Sequence, residues 1–417
     1  MNLEIDQMDV VTAFLNSHLD EDIYMQLPND NLSKGKIVKL LKSIYGLKQP
    51  SRSWNLTLDK VLKKLGLSRS HFDPCMYFKT DNEKVIFLTV YVDDLLIFSN
   101  DKKMKFQLKE ELKQTFKMKD MGPASYILGM RIIRNEKEGT VSVDQEKYIK
   151  DILARFEMTE CNSISTPLDP NQVLSKCMEP ANEEEEDEMK RIPYQEAVGS
   201  LIYAANCCRP DIAHAVGVVS RFNQNPGRAH WKAVKRIFRY LKGTLSHKLV
   251  YKKSEYKGVT GFADSDWAGC TMDFKSTTGY IFTSCGGAVS WLSKKQPTTA
   301  LSTTEAEYMS LTAAAQEAKW ISNFLTEILS KKLNTIILHC DNKGAIDLSK
   351  GIGYKARTKH ISIKHHFIRE CIENGDVQVK QISTNEMVAD PFTKAVTREK
   401  LTWCCQQIGL MIASSAP

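Results

Sequence analysis

The stretch that most constrains this chain is residues 85–99, Val-Ile-Phe-Leu-Thr-Val-Tyr-Val-Asp-Asp-Leu-Leu-Ile-Phe-Ser. Two β-type apolar runs flank Asp93 and Asp94, which predicts a hairpin with both aspartates at or beside its turn. Aspartate is a good turn residue, and that alone would account for one of them. Asn-Gly or Asp-Gly would be the ordinary choice, however, and here two anions are adjacent. Two unit charges about 4 Å apart repel by roughly 4 kcal/mol at an effective dielectric of 20. A cation shared with a third carboxylate would offset this. Asp9, in Gln7-Met-Asp-Val10, is a candidate third: it follows a short strand pattern and precedes an apolar segment, although a helix-capping aspartate fits there too. Three such carboxylates suit Mg²⁺, which favours carboxylate and phosphate oxygens. Paired ions of this kind activate a hydroxyl and stabilise a leaving pyrophosphate.

A second set of acids lies downstream. Asp264 ends a strand-like run in Gly261-Phe-Ala-Asp-Ser-Asp-Trp267, and Asp341 ends another in Ile336-Ile-Leu-His-Cys-Asp341. Between them, Ser302 followed by Glu305 reads as a capping box opening a long helix. Helical phase then puts Glu305 with Met309, Thr312 and Lys319 on a largely polar stripe. It puts Glu307 with Leu311, Ala314 and Ala318 on the face that buries. Asp390, in Val388-Ala-Asp-Pro391, is expected early in the last helix. Each acid has an ordinary structural explanation taken singly. In this order, with two ending strands, they fit a two-metal phosphodiester hydrolase better.

Composition narrows the class without naming it. Of 417 residues, 42% are hydrophobic and 26% charged, the balance of a chain with real cores. The net charge of +7 permits a polyanionic partner but does not require one. No signal-peptide pattern or membrane-spanning run is present, which predicts an intracellular setting and no membrane partner. Eleven cysteines form no Cys-x-x-Cys pair. His360, His365, His366 and Cys371 fit no common zinc spacing, and a solvated basic helix is the simpler reading. The acidic run 183–188, flanked by Pro167, Pro170, Pro180 and Pro193, reads as a solvated linker. Strand–helix alternation precedes it, helices follow over 197–241, and a strand-rich block begins near 259.

In total these residues resemble the polymerase and ribonuclease H portion of copia-type LTR retrotransposon polyproteins. The resemblance rests on Gln-Met-Asp-Val at 7–10, Ala-Phe-Leu-Asn at 13–16, Tyr-Gly-Leu-Lys-Gln at 45–49, Tyr-Val-Asp-Asp at 91–94, Arg-Pro-Asp-Ile at 209–212 and Arg-Tyr-Leu-Lys-Gly-Thr at 239–244. It continues in the motifs around Asp264, Glu307, Asp341 and Asp390, and covers about residues 3–410. It implies an α+β fold: a partial right-hand palm with a fingers remnant over 1–165, an acidic linker and helical thumb or connection over 166–250, a ribonuclease H-like α/β domain over 258–395, and a tail over 396–417. It implies that Asp9, Asp93 and Asp94 hold the polymerase Mg²⁺ ions, with Mn²⁺ an alternative. Phe14 would exclude a ribose 2′-OH, Gln49 would touch nucleotide and template, and Gly129 would lie near the primer grip. Asp264, Glu307, Asp341 and Asp390 would be the ribonuclease H acids, and the basic residues of 355–369 would meet phosphates. The implied partners are an RNA template, a DNA primer, an RNA–DNA hybrid and deoxynucleoside triphosphates. Oligomeric state is left open.

Two departures from the family pattern qualify the expectation. The family has a fingers segment ahead of the Gln-Met-Asp-Val strand, and here eight residues precede Asp9, which predicts impaired polymerisation. Where some ribonucleases H carry a mobile histidine before the last acid, this chain has Ser383-Thr-Asn-Glu386. The competing reading is a non-catalytic retroelement remnant that only binds nucleic acid. A general metal-dependent nuclease would leave the first 250 residues unexplained.

Overall fold

The structure, a computed structural model, describes residues 3–27, 35–270, 272–351 and 362–412. It has mixed α and β structure in two compact units. The first is Met1–Ile127 with Asn323–Lys331, and the second is Leu128–Ser322 with Lys332–Pro417.

In the first unit a six-stranded antiparallel sheet runs, edge to edge, through Ser68–Arg69, Met76–Asp81, Lys84–Tyr91, Asp94–Ser99, Glu4–Val10 and Met118–Pro123. The expected hairpin is present: Tyr91 pairs with Asp94, so Val92 and Asp93 form a two-residue turn. Its strands read as unbroken apolar runs because both faces are covered. Ile86, Leu88, Val90, Leu95 and Ile97 pack with Trp54, Leu58 and Leu62 of the helix Pro50–Lys64 and with Leu108 and Leu112 of the helix Lys102–Thr115. Val85 and Phe87 pack on the opposite side with Met76 and Ile328. Asp101 caps the second helix, accepting from the Met104 amide at 2.8 Å. That helix also brings Lys105 and Lys109 onto buried Asp6, at 2.8 and 2.7 Å.

The second unit departs from the expected boundary at 165. Strands Met130–Asn135 and Thr140–Asp144 pair with each other, and Thr140–Asp144 pairs onward with His247–Lys252. The helix Glu146–Arg155 buries Ile149, Ile152 and Leu153 in the same core as the helices Tyr194–Cys207, Ala213–Val219 and Arg228–Gly243. Contact, not composition, sets the division. The acidic run is not an irregular linker but the helix Glu183–Lys190, capped by Asn182, with four glutamates in its first turn where the helix dipole favours them. Nor is 396–417 a tail. The helix Arg398–Gln407 buries Leu401, Cys404 and Cys405, and Leu410–Ile412 pairs with His247–Lys252.

The site-bearing part is a mixed sheet ordered Gly287–Lys295, Thr277–Ser284, Val259–Ser265, Ile336–Cys340, Val377–Gln381. The first three strands are antiparallel, whereas Val259–Ser265, Ile336–Cys340 and Val377–Gln381 run parallel. Parallel neighbours put their carboxyl ends at one edge, which brings Asp264 and Asp341 to the same end. The helix Thr303–Leu329 supplies Glu307. Asp390 is not in the last helix but opens a separate single turn, Asp390–Phe392. That turn lies so close to the sheet that a Cβ on Gly279 would meet Phe392 at 2.8 Å and Thr393 at 2.6 Å. Among the described residues no helix is long and apolar enough to cross a membrane.

Two candidate metal centres

In the second unit Asp264, Glu307 and Asp390 are 2%, 7% and 4% exposed, which is costly for anions unless compensated. Compensation is partial. Lys394 Nζ lies 2.6 Å from Asp390 Oδ1 and 3.6 Å from Asp264 Oδ2, and Lys400 Nζ lies 3.1 Å from Asp390 Oδ2. The Thr393 hydroxyl donates to Asp264 Oδ2. The Ser265 amide donates to Glu307 Oε1 at 3.3 Å, and Thr384 Oγ1 donates to Asp341 Oδ2 at 2.8 Å. Glu307 Oε2 is buried with no hydrogen-bond partner among the described residues. Burial, reinforced by neighbouring carboxylates, pushes Asp264 and Glu307 well above the usual carboxylate range. Lys394 shows the converse. Burial alone would lower it, but Asp264 and Asp390 carry it up to about 12. Carboxyl oxygens of Glu307 and Asp341 and the Cys340 sulfur all lie within 4.8 Å of one another. This donor set is short of positive charge, as a cation site without its ion would be.

Glu305 is also only 7% exposed, so the expected stripe is buried and exposure does not separate Glu305 from Glu307. Its role is still local. Ser302 Oγ accepts from the Glu305 amide at 3.2 Å, and the Glu305 carboxylate accepts from the Leu301 amide at 2.8 Å, one residue further back than a standard capping box.

In the first unit the strand Glu4–Val10 lies beside Asp94–Ser99 with Asp9 opposite Asp94, while Asp93 sits in the adjoining turn. All three are only partly buried. Gln7 Nε2 donates to Asp94 Oδ1 at 3.1 Å. Burial first, then Asp93 and Asp9, raise the Asp94 carboxyl above its ordinary value. No ion pair reaches any of the three among the described residues. The turn is held rigidly: Val92 has φ +56°, a region β-branched residues rarely enter, and its carbonyl accepts from Trp54 Nε1 at 2.6 Å. The Phe14 ring lies 4.3 Å from that of Tyr45, whose hydroxyl is raised by burial and by Asp93 and Asp9. Gln49 caps the helix Pro50–Lys64 through its backbone, with no side-chain bond to the aspartates among the described residues. Gly129, φ +68°, follows Leu128, whose carbonyl accepts from the Tyr203 hydroxyl. Of the basic stretch 355–369, residues 355–361 and the side chains of 362–365 lie outside the described residues. Cys371, expected on a solvated helix, is fully buried.

Residues 1–170 match the family model described as reverse transcriptase (RNA-dependent DNA polymerase). Over 414 residues, 98% of its length, the chain is 47% identical to the retrovirus-related Pol polyprotein from transposon TNT 1-94 of Nicotiana tabacum. Over 315 residues it is 33% identical to the putative transposon Ty5-1 protein of Saccharomyces cerevisiae, and it covers all of that protein. This chain belongs to the copia-type retrotransposon Pol family. It spans 31% of the length of the tobacco Pol polyprotein and 27% of that of the related Pol polyprotein from transposon RE1 of Arabidopsis thaliana. Among solved structures, LC11-RNase H1 matches with a TM-score of 0.26 and 16% identity, covering 32% of this chain and 91% of that one.

Several site neighbours escape the sequence reading. Lys394 was recoverable, being four residues after Asp390 with proline between them. Tyr45 and Gln7 sit inside quoted motifs but carry no spacing signal of their own. Cys340 reads as one more apolar position of a strand.

Proposed function

We infer that this Pol-family chain combines nucleotidyl transfer in its first unit with cleavage of the RNA strand of an RNA–DNA hybrid in its second. The observation that carries the hydrolytic half is the buried Glu307, its Oε2 without a hydrogen-bond partner among the described residues, clustered with Asp341 at the end of parallel strands that also carry Asp264. Asp264, Glu307, Asp341 and Asp390 are oxygen donors suited to Mg²⁺. Bound there, divalent cations supply Lewis-acid stabilisation of charge developing on a phosphodiester. The chain's own contribution is orientation: Thr393 and Lys394 fix Asp264, the Ser265 amide fixes Glu307, Thr384 fixes Asp341, and Lys400 fixes Asp390. In the first unit Asp9, Asp93 and Asp94 would hold Mg²⁺ (or Mn²⁺), Phe14 would exclude a ribose 2′-OH, and Gln49 would touch nucleotide and template.

The test is a labelled RNA–DNA hybrid and, separately, a DNA primer on an RNA template with deoxynucleoside triphosphates. Each is incubated with the purified chain in Mg²⁺ and in EDTA. Mg²⁺-dependent nicking that Asp264→Asn abolishes supports the hydrolytic half, and extension that Asp94→Asn abolishes supports the other. Binding of both substrates without chemistry in either assay would favour the remnant that only binds nucleic acid.

A further inference from the structure

The mixed sheet places a thiol among the carboxylates. On the strand Ile336–Cys340, residues 336, 338 and 340 alternate inward, so Cys340 points to the same buried side as Leu338 and is 0% exposed. A buried cysteine is ordinarily a small inert hydrophobe. Two observations set this one apart. Its sulfur lies within 4.8 Å of carboxyl oxygens of Glu307 and Asp341, and its one recorded bond is a long one, 3.9 Å, to the Asn342 carbonyl. Independently, Glu307, a member of that cluster, is 7% exposed, and its Oε2 has no hydrogen-bond partner among the described residues.

We propose that Glu307, Cys340 and Asp341 form a site for a thiophilic divalent cation of the zinc and cadmium class, one that competes with Mg²⁺ for the two carboxylates. Zinc takes sulfur at about 2.3 Å and carboxylate oxygen at about 2.0 Å, which puts tetrahedral ligand atoms roughly 3.5 Å apart. The present atoms lie within 4.8 Å of one another, so binding would draw them together by roughly 1 Å. Mg²⁺ gains nothing from sulfur, whereas the thiolate adds affinity for the softer ion. On binding, the S–H bond breaks, the sulfur–metal bond forms, and the proton passes to solvent. Occupancy by zinc would withdraw Glu307 and Asp341 from Mg²⁺. The proposal rests on ligand geometry and not on the hybrid-cleavage reading, which it would regulate if both hold.

The test uses Co²⁺ as a spectroscopic probe of the full chain, because a Co²⁺–thiolate bond gives a charge-transfer absorption that carboxylates do not. Wild type should bind one equivalent with that band. C340S and E307Q should lose it, while C371S, altered at another buried cysteine, should keep it. Zn²⁺ should displace the probe stoichiometrically, and Mg²⁺ only in large excess. In the hybrid assay, the Zn²⁺ needed for half-suppression should rise at least about tenfold in C340S, measured against that variant's own zinc-free rate. A wild type without the band, or a C340S variant with it undiminished, overturns the proposal. If C340S fails to fold, C340A and E307Q carry the same comparison, with circular dichroism as the folding control. A thiolate band without hybrid cleavage would sink the hydrolase reading alone, and cleavage without the band would sink this one alone.

Discussion

Asp94 leans on one neutral amide, that of Gln7, whereas Asp390 sits between two lysines. The contrast extends through both sets. The first-unit aspartates are partly exposed, carry no recorded ion pair, and owe their position to the hairpin backbone and the Trp54 bond to Val92. Of the second-unit acids, Asp264, Glu307 and Asp390 are buried and Asp341 is half-buried, and they are individually oriented by Thr393, Lys394, the Ser265 amide and Thr384. One set is open to water that softens its repulsion. The other has given up water and is only partly repaid by lysines, so it holds its geometry through side chains and its charge deficit through burial. A centre of the second kind keeps its shape without substrate, and one of the first kind gains most from what binds to it.

The largest expected effect tests whether the buried set is chemically distinct from its helical neighbour. Glu307→Gln should lower hybrid cleavage by about a hundredfold or more, since several kcal/mol ride on a ligand of this kind. Glu305→Gln, which still offers an acceptor to the Leu301 amide, should keep most activity. Equal losses would erase the distinction between ligand and cap. Next, Lys394→Met should leave Asp264 and Asp390 undercompensated. It should cost about 2 kcal/mol of stability in slightly alkaline, Mg²⁺-free buffer, a figure discounted because Lys394 is itself 45% exposed. An unchanged unfolding midpoint would mean that Lys400 alone suffices.

A smaller effect concerns pH. Asp264 and Glu307 are raised in the folded protein, so the native state holds protons that the unfolded chain has released. Their contribution is complete below the ordinary carboxylate range and is lost as pH rises through their elevated values. Metal-free stability should therefore fall from mildly acidic to mildly alkaline pH, by about 1 kcal/mol per pH unit for each proton difference. Asp264→Asn with Glu307→Gln should flatten thermal unfolding measured across that window. Persistence of the full slope in the double variant would place the protons elsewhere. Smallest, Asp93→Asn should raise metal-free stability by under about 1 kcal/mol, because water already screens the repulsion, and should weaken stabilisation by Mg²⁺. This needs the full chain with the second centre neutralised by Asp264→Asn and Asp341→Asn. An identical Mg²⁺ response would remove Asp93 from any metal site.

What could be read in advance follows the same contrast. Local patterns were legible: the hairpin from its two apolar runs and the strand ends at Asp264 and Asp341. The phase expected to separate Glu307 from Glu305 was not, because both are 7% exposed. Asp390 was legible as an acid but not as a turn, because what sets its place is the side-chain-free Gly279 more than a hundred residues earlier. Non-local pairing was not legible. Nothing near residue 410 announces an edge strand whose partner is at 247–252, so that segment reads as a tail. The break at 163–193 signals solvation, and solvation is a poor guide to which strands share a sheet. The pairing of Asp6 with Lys105 and Lys109 is likewise invisible in a chain where lysines are common.

The sheet whose outer strand is Leu410–Ile412 also sets a schedule. A ribosome adds about 5–20 residues per second. The free edge of Thr140–Asp144 therefore waits on the order of 5–20 s for His247–Lys252, whose own outer edge then waits on the order of 10–30 s more for Leu410–Ile412. Until Leu410–Ile412 is made, the nascent molecule presents the six-residue outer edge of His247–Lys252 to its surroundings, including other copies made on the same message. Leu410–Ile412 then replaces that edge with a strand of only three residues, the short kind of edge that resists pairing with other chains.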